Sequence, residues 1–295
     1  PNFRMAADKG CCIVRQIKES TSAQSPTNSL ASGRVSATAK ALKVLDCFTP
    51  TQPELTLAQI SRLLNMPKST LLNQLRTLED AGFLMKVRDG LAYSLGYKIM
   101  ELSYCAHIAT PVIQYAIPIM EDLQVATGEI IYLTSHIGGR CFYLECIYPS
   151  RRVISYSVSG KTLPMHCTAC GKAMLSQMST AQVEAIIEKH GLPAATQNTI
   201  TNRDQLMEVL ASYRRQGYAL DNEEESMGVK CVAMAIRTGR GDVAGALSIS
   251  GSPLSIRPDV INQYAELLSR ACNALSLYRS EERRVGKECR SRWSP

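Results

Sequence analysis

Residues Leu55–Gly82 read LTLAQISRLLNMPKSTLLNQLRTLEDAG, and their spacing predicts two helices joined by a tight turn. Thr56 is placed to accept the unpaired N–H groups at the start of the first helix, and Gln59, three residues on, completes a capping box. Leu57, Ile60, Leu63 and Leu64 recur at helical spacing and predict one apolar face. Asn65-Met66-Pro67 breaks the helix, and Pro67 suits the first turn of the next. In that second helix Leu71, Leu75 and Leu78 share a face. At about 100° per residue, Ser69, Asn73 and Arg76 point the opposite way, with Thr70 and Thr77 beside them. Gly82 stops the helix. A short helix docked on a longer one with a small, polar and basic outer face is the helix-turn-helix arrangement, which presents side chains to the major groove of DNA. The plainer alternative is a helical hairpin with a solvated face.

The residues after Gly82 favour the DNA-binding arrangement. Phe83–Arg88 alternates like a strand, Asp89-Gly90 suits a two-residue hairpin turn, and Leu91–Leu95 returns. A hairpin directly after the second helix makes the unit a winged helix-turn-helix. Arg88 then sits at the wing tip, within reach of a phosphate or the minor groove. Candidate DNA contacts are therefore Lys68, Ser69, Thr70, Asn73, Gln74 and Arg76 on the helix and Arg88 on the wing.

The charge distribution agrees. The 295 residues carry a net +7, and 45% are hydrophobic, enough for two domains with cores of their own. Residues 36–100 hold eight Lys and Arg against five Asp and Glu, whereas residues 101–280 hold 15 against 16. One part suits phosphates and the other does not. No apolar run approaches the ~18–20 residues that span a bilayer. Nor is there a charged-apolar-small secretory leader, so the expected location is the cytoplasm. Eleven cysteines are many for such a place. Cys47, Cys105, Cys141, Cys146 and Cys272 lie in apolar stretches and are expected as small buried hydrophobes, with no disulfide framework.

Residues 1–35 are polar and unperiodic and read as a disordered tail. Residues 281–295 carry the only Trp and a surplus of Arg and read as a non-native scar outside the fold. Ala37–Phe48 is expected as the first helix of the DNA-binding unit, with Ala41, Leu42, Leu45 and Phe48 inward. Tyr97–Ala126 is mostly helical, interrupted near Thr110-Pro111 and at Pro118, and reads as a linker. Its Ile99, Leu102, Ile108, Val112 and Ile113 exceed what one helix buries alone, so pairing with a second subunit is expected. Strands are expected at Glu129–Ile137, Arg140–Tyr148, Val153–Val158, Cys231–Thr238 and Val243–Gly251. Helices are expected within Leu163–Met178, after Ser179 with its partner Gln182, from Thr201 to Gly217, and after Pro258. In the last, Ile261, Tyr264, Leu268, Ala271, Leu275 and Tyr278 share a face. The fold class is α+β, an antiparallel sheet with packed helices.

Four segments carry a family resemblance. MPKSTLLNQLRTLEDAGFL (Met66–Leu84) resembles the recognition region of IclR-type transcriptional regulators. LPMHCTACGKAML (Leu163–Leu175), GYALDNEEESMGVKCVAMAIR (Gly217–Arg237) and GALSISG (Gly245–Gly251) resemble that family's effector domain, in the same order and spacing. The resemblance spans residues 36–280. It implies a winged helix-turn-helix over 36–97, a linker helix over 98–127 and a GAF-like ligand-binding domain over 112–280. It also implies a dimer or tetramer that binds an operator and represses, or sometimes activates, genes of small-molecule catabolism. One departure is Leu72-Asn73, where many relatives carry His-Arg or Tyr-Arg. Asn pairs with adenine where Arg favours guanine, so the operator preference does not carry over.

By the same resemblance, Thr168, Ala169, Asp221, Cys231, Ser248 and Ser250 line the effector site, with Met165 in its wall. Ser248 and Ser250, two apart on a strand, share a face that is otherwise expected to be solvated. Amides at the start of a helix, hydroxyls and a carboxylate together suit a small hydroxy- or keto-acid. Glu223-Glu224-Glu225 reads as a solvated acidic turn.

Other chemistries find less support. Cys167-x-x-Cys170 after His166 suggests a redox or metal sensor, but a second Cys pair for zinc is missing. Gly160-Lys161-Thr162 lacks the P-loop glycine, since Ser155 stands there. Gly245–Gly251 lacks the Gly-x-Ser-x-Gly spacing of a hydrolase. An enzyme acting through Cys170 or Cys231 has no recognisable constellation around it. No catalytic residue, metal or cofactor is expected.

Overall fold

The structure is a computed structural model that describes residues 36–149, 159–239 and 241–291, with side chains from residue 37 to residue 276. The tail at 1–35 and the strand expected at Val153–Val158 lie outside the described residues. The chain divides into two compact units between Cys105 and Ala106.

The first unit holds α1 (Ser36–Leu45), β1 (Glu54–Leu55), α2 (Leu57–Leu64), α3 (Lys68–Asp80), β2 (Leu84–Val87) and β3 (Ala92–Leu95). The Thr56–Gln59 capping box forms in both directions, and Asn65 closes α2 in the left-handed conformation at φ 49°. Leu71, Leu75 and Leu78 are buried with Ile60, Val44 and Phe48 in one core. Two inward assignments are corrected. Leu42 and Leu63 are exposed, because helices only 10 and 8 residues long bury a narrow stripe centred on Val44 and Ile60. Pro67 precedes α3 at its N-cap instead of lying in its first turn. The sheet has the order β1-β3-β2, and β1 is an added edge strand too short to show in the sequence. The wing turn has four residues, not two, since Val87 pairs with Ala92 and Arg88, Asp89 and Gly90 all take positive φ.

α4 (Tyr97–Ile108) and α5 (Pro111–Thr127) follow, broken at Thr110. α5 runs through Pro118 without interruption. Pro118 and Gln114 are both exposed, so the carbonyl that loses its amide partner lies on the water side. Val112 and Ile113, expected as spare surface, are buried in the core of the second unit. Leu102 and Ile108 stay exposed, together with Tyr97, Met100 and Tyr104, and α4 has no buried residue. Cys105 is exposed on this helix, contrary to its expected burial.

The second unit is built on an antiparallel six-stranded sheet in the order β6-β5-β4-β9-β8-β7. Its strands are β4 (Ile130–Ile137), β5 (Arg140–Ile147), β6 (Thr162–Pro164), β7 (Ala219–Asn222), β8 (Lys230–Arg237) and β9 (Val243–Gly251). The short edge strands β6 and β7 carry too few residues to show a period in the sequence. Helices cover both faces. On one, α5 and α9 (Pro258–Ser291) bury Ile131, Leu133, Val232, Leu247 and Ile249. On the other lie α6 (Ala169–Gln177), α7 (Thr180–His190) and α8 (Arg203–Gln216). The Ser179–Gln182 capping box starts α7, and Asn202 caps α8, which ends at Gly217 as expected. Helix α9 continues to Ser291, into the segment expected to lie outside the fold. Among the described residues, no helix is long and apolar enough to cross a membrane.

Candidate DNA interface and effector site

The candidate DNA face lies on α3. Lys68, Ser69, Thr70, Asn73 and Arg76 are exposed, opposite the buried leucines, and Gln74 is half-buried. The Asn73 side chain is exposed, while its carbonyl accepts from Thr77 Oγ1 at 2.9 Å. Lys86 on the wing strand makes an exposed ion pair with Glu79 of α3 at 2.9 Å. Arg88 does stand in the wing turn, but its Nε donates to Glu54 Oε2 on β1. A phosphate contact from Arg88 therefore competes with an existing ion pair.

In the second unit, sheet register does what sequence proximity cannot. Asp221 on β7 pairs with Cys231 on β8, and Cys231 pairs with Ser250 on β9. Two residues along, Ala219, Ala233, Ser248 and Tyr132 form the next row, and Ala235, Ala246 and Thr134 the one after. Side chains two apart share a face, so Asp221, Cys231, Ser250, Ser248 and Thr134 form a polar strip beneath α6. Ser248, Ser250, Asp221 and Thr134 are buried and Cys231 is half-buried, which overturns the solvated-strand alternative for the serines. The Cys231 thiol donates to Ser250 Oγ at 3.2 Å. Tyr143 and Cys141 on β5 extend the strip, with Tyr143 edge-on to Tyr132.

The start of α6 closes over this floor. Thr168 is its N-cap: its hydroxyl accepts from the Gly171 amide at 3.1 Å and donates to Pro164 O at 3.2 Å. That hydroxyl is thus engaged by the protein, so what Thr168 and Ala169 offer is main-chain N–H at a helix start. A side chain at Gly171 would place Cβ 2.2 Å from Met165 O, so only glycine lets the helix sit this close to Met165. Met165 and Ala169 are buried beside it. Burial pushes the Cys170 thiol up to about 11, against hydrogen bonds with Ser248 and Thr134 that pull it down. Burial, reinforced by Glu225, pushes Cys167 up to about 12. Both are held as thiols, the opposite of the activated thiolate a redox centre needs. Among the described residues, no group of three or more His, Cys, Asp or Glu side chains is placed to hold a metal.

Two residues of this region carry no signal in the sequence, and the turn that holds one of them is corrected. Lys172, fully buried on α6, makes an ion pair with Glu224. Glu224 is 5% exposed, so the acidic turn is not solvated as expected. The Glu224 amide donates to Asp221 Oδ1 at 2.8 Å. Burial pushes Asp221 up to about 7; the Glu224 amide and Lys172 pull it down, and Glu224 and Glu225 push it further up. Lys in Gly-Lys-Ala and Glu in a Glu triplet look like surface residues; no sequence signal pairs two positions 52 apart.

The chain is similar to known proteins of one family. A profile described as "Bacterial transcriptional regulator IclR C-terminal" matches residues 106–277, and one described as "IclR helix-turn-helix domain" matches residues 37–88. The HTH-type transcriptional regulator XynR of Escherichia coli is 33% identical over 237 residues, covering 80% of this chain and 94% of XynR. The transcriptional repressor IclR of Escherichia coli is 27% identical over 252 residues, covering 84% of this chain and 91% of IclR. A crystal structure of an IclR-type transcriptional regulator from Silicibacter superposes with a TM-score of 0.72 at 26% identity, over 83% of this chain and 96% of that one.

Proposed function

Because the chain belongs to the IclR family and is a DNA-binding transcriptional regulator, we propose that it represses catabolic genes until a small carboxylated metabolite binds its second unit. In this reading residues 36–97 bind operator DNA through Lys68, Ser69, Thr70, Asn73, Gln74, Arg76 and Arg88. Residues 98–127 connect that domain to an effector-binding domain over 112–280, and residues 281–295 are foreign to the native chain. The overlap suits α5, whose inward face belongs to the core of the second unit. The protein works in the cytoplasm as a homodimer or tetramer, and recognition helices in pairs match palindromic half-sites.

The observation that carries the reading is the strip of buried Asp221, Ser248 and Ser250 with half-buried Cys231 under the start of α6. Hydroxyls and helix-start amides donate to a carboxylate, and Asp221 accepts from a ligand hydroxyl or, when protonated, donates to a keto oxygen. Met165 and Ala169 wall the site. A ligand here changes operator affinity only if it favours one state of the protein over another.

The test of the regulator reading is a gel shift with DNA from upstream of the neighbouring genes at two salt concentrations. Binding that prefers one upstream segment over bulk DNA and weakens as salt rises supports it. Equal, salt-insensitive binding to all fragments contradicts it.

A further inference from the structure

Lys172 and Glu224 join the two halves of the candidate effector site, and neither is accounted for by DNA binding or by the polar strip. Lys172 lies one turn into α6, its amide bonded to the carbonyl of the N-cap Thr168 at 2.9 Å. Glu224 follows β7, and its amide holds Asp221 Oδ1. Its own carboxylate also accepts from the Asn222 amide at 3.3 Å, and Thr199 Oγ1 donates to its carbonyl at 2.6 Å. The ammonium of Lys172 lies 5.7 Å from the centre of the Tyr213 ring on α8. One ion pair thus links the helix start that offers amides to the turn beside the Asp221 carboxyl on β7.

Stability is a poor explanation for it. A buried ion pair loses the hydration of both charges, and apolar replacements of similar volume are often as stable or more so. Glu224 Oε2 is also buried with no hydrogen-bond partner among the described residues, which adds to that cost. An ion pair provides a fixed relative position and a charge, and an apolar contact provides neither.

We propose that Lys172 and Glu224 are positioning residues of the effector site, setting the start of α6 and the Asp221 carboxyl at the separation that a small acid bridges. The inference rests on the proposed effector function for the identity of the bridging molecule, but the positioning itself is a property of the free protein. The pair also sets the charge that Asp221 meets. Around Asp221 stand Lys172 with Cys167 and Cys170 from α6 and its approach, Glu224 and Glu225 from the turn, Cys231 from β8 and Tyr213 from α8.

The experiment uses the full chain. Truncations such as Lys172→Ala leave a buried charge beside a cavity and risk unfolding, so the main variant is the double Lys172→Met/Glu224→Leu, with the isosteric Glu224→Gln, whose amide oxygen can still accept from Lys172, beside it. Hydrogen exchange is followed at residues 168–172 and 221–225 without any ligand. The carboxyl carbon of Asp221 is titrated by NMR, and glycolate, lactate and pyruvate serve as binding probes. The double variant is expected to fold, to lose exchange protection at both segments and nowhere else, and to bind any acid the wild type binds at least tenfold more weakly. In Glu224→Gln the Asp221 titration moves down, since a repelling charge is gone and the charge of Lys172 is left unpaired. A merely structural pair would leave acid binding unchanged in a folded double variant, so the tenfold loss is the readout that separates the two roles. Unchanged protection in the double variant, or an unchanged Asp221 titration in Glu224→Gln, overturns the proposal. If the segments loosen and Asp221 shifts as expected but the wild type binds none of the acids, positioning stands and the effector reading falls.

Discussion

Arg88 in the wing turn and Glu54 on β1 are joined by an ion pair across a sheet whose order places β3 between their strands. The Arg88 side chain is 70% exposed, so the pair contributes little to stability and leaves Arg88 available for the proposed phosphate contact. Glu54→Gln is expected to tighten binding to all DNA sequences. Arg88→Ala is expected to weaken it uniformly and to reduce the salt slope by about one. Fluorescence anisotropy on several duplexes across a salt series checks both; an unchanged slope in Arg88→Ala removes the wing from the interface.

Asn73 differs in kind, because it points outward from the middle of α3 and suits the paired donor and acceptor of adenine. Asn73→Ala is expected to cost about 1–3 kcal/mol at one base pair and to relax specificity there. Binding measured over a set of single-base operator variants reads this directly. A uniform loss at every variant would assign Asn73 to the backbone instead.

The contrast between these two residues and Lys172 shows what a sequence displays. The capping boxes at Thr56 and Ser179, the strand pair at Glu129–Ile137 and Arg140–Tyr148 and the leucine face of α3 are local patterns, and each stands where the spacing puts it. Leu42 and Leu63 depart from expectation because a short helix offers more than one plausible apolar stripe. Ser248 and Ser250 are legible as sharing a face, but only the register of β7, β8 and β9 brings Asp221 and Cys231 into line with Ser250. Thr134 and Tyr143 come from strands far away in sequence and carry no motif. Lys172 and Glu224 are hidden for the same reason, since burial of a charged residue is decided by its distant partner.

Asp221 predicts a pH dependence of stability. Its carboxyl is raised from 3.8 to about 7, so the folded state binds a proton more tightly than the unfolded state. The stabilisation is complete below the unfolded value and is lost as pH rises through about 7. Asp221→Asn cannot ionise and escapes this loss. Its melting temperature relative to wild type should therefore rise from about pH 4 to about pH 7, the interval between the unfolded and folded values, and level off above it. A constant difference across that range would mean that Asp221 is charged throughout.

α4 predicts assembly. Tyr97, Met100 and Tyr104 are each more than two-thirds exposed on a helix with no buried residue, an apolar surface that a second copy of the chain would cover. Light scattering at micromolar protein is expected to give a dimer or a tetramer. Met100→Glu combined with Tyr104→Glu should shift it toward smaller species and weaken operator binding. A monomeric wild type that still binds its operator tightly contradicts this expectation.

The most direct test of the central claim is the operator affinity of the full protein as hydroxy- and keto-acids of the neighbouring pathway are added, in wild type, Asp221→Ala and Ser250→Ala. For a coupling of about 1–3 kcal/mol, one such acid should shift the wild-type affinity some 5–150-fold. Both variants should show no shift at the same concentrations. Variants that respond to that acid as the wild type does would place the effector site elsewhere in the chain.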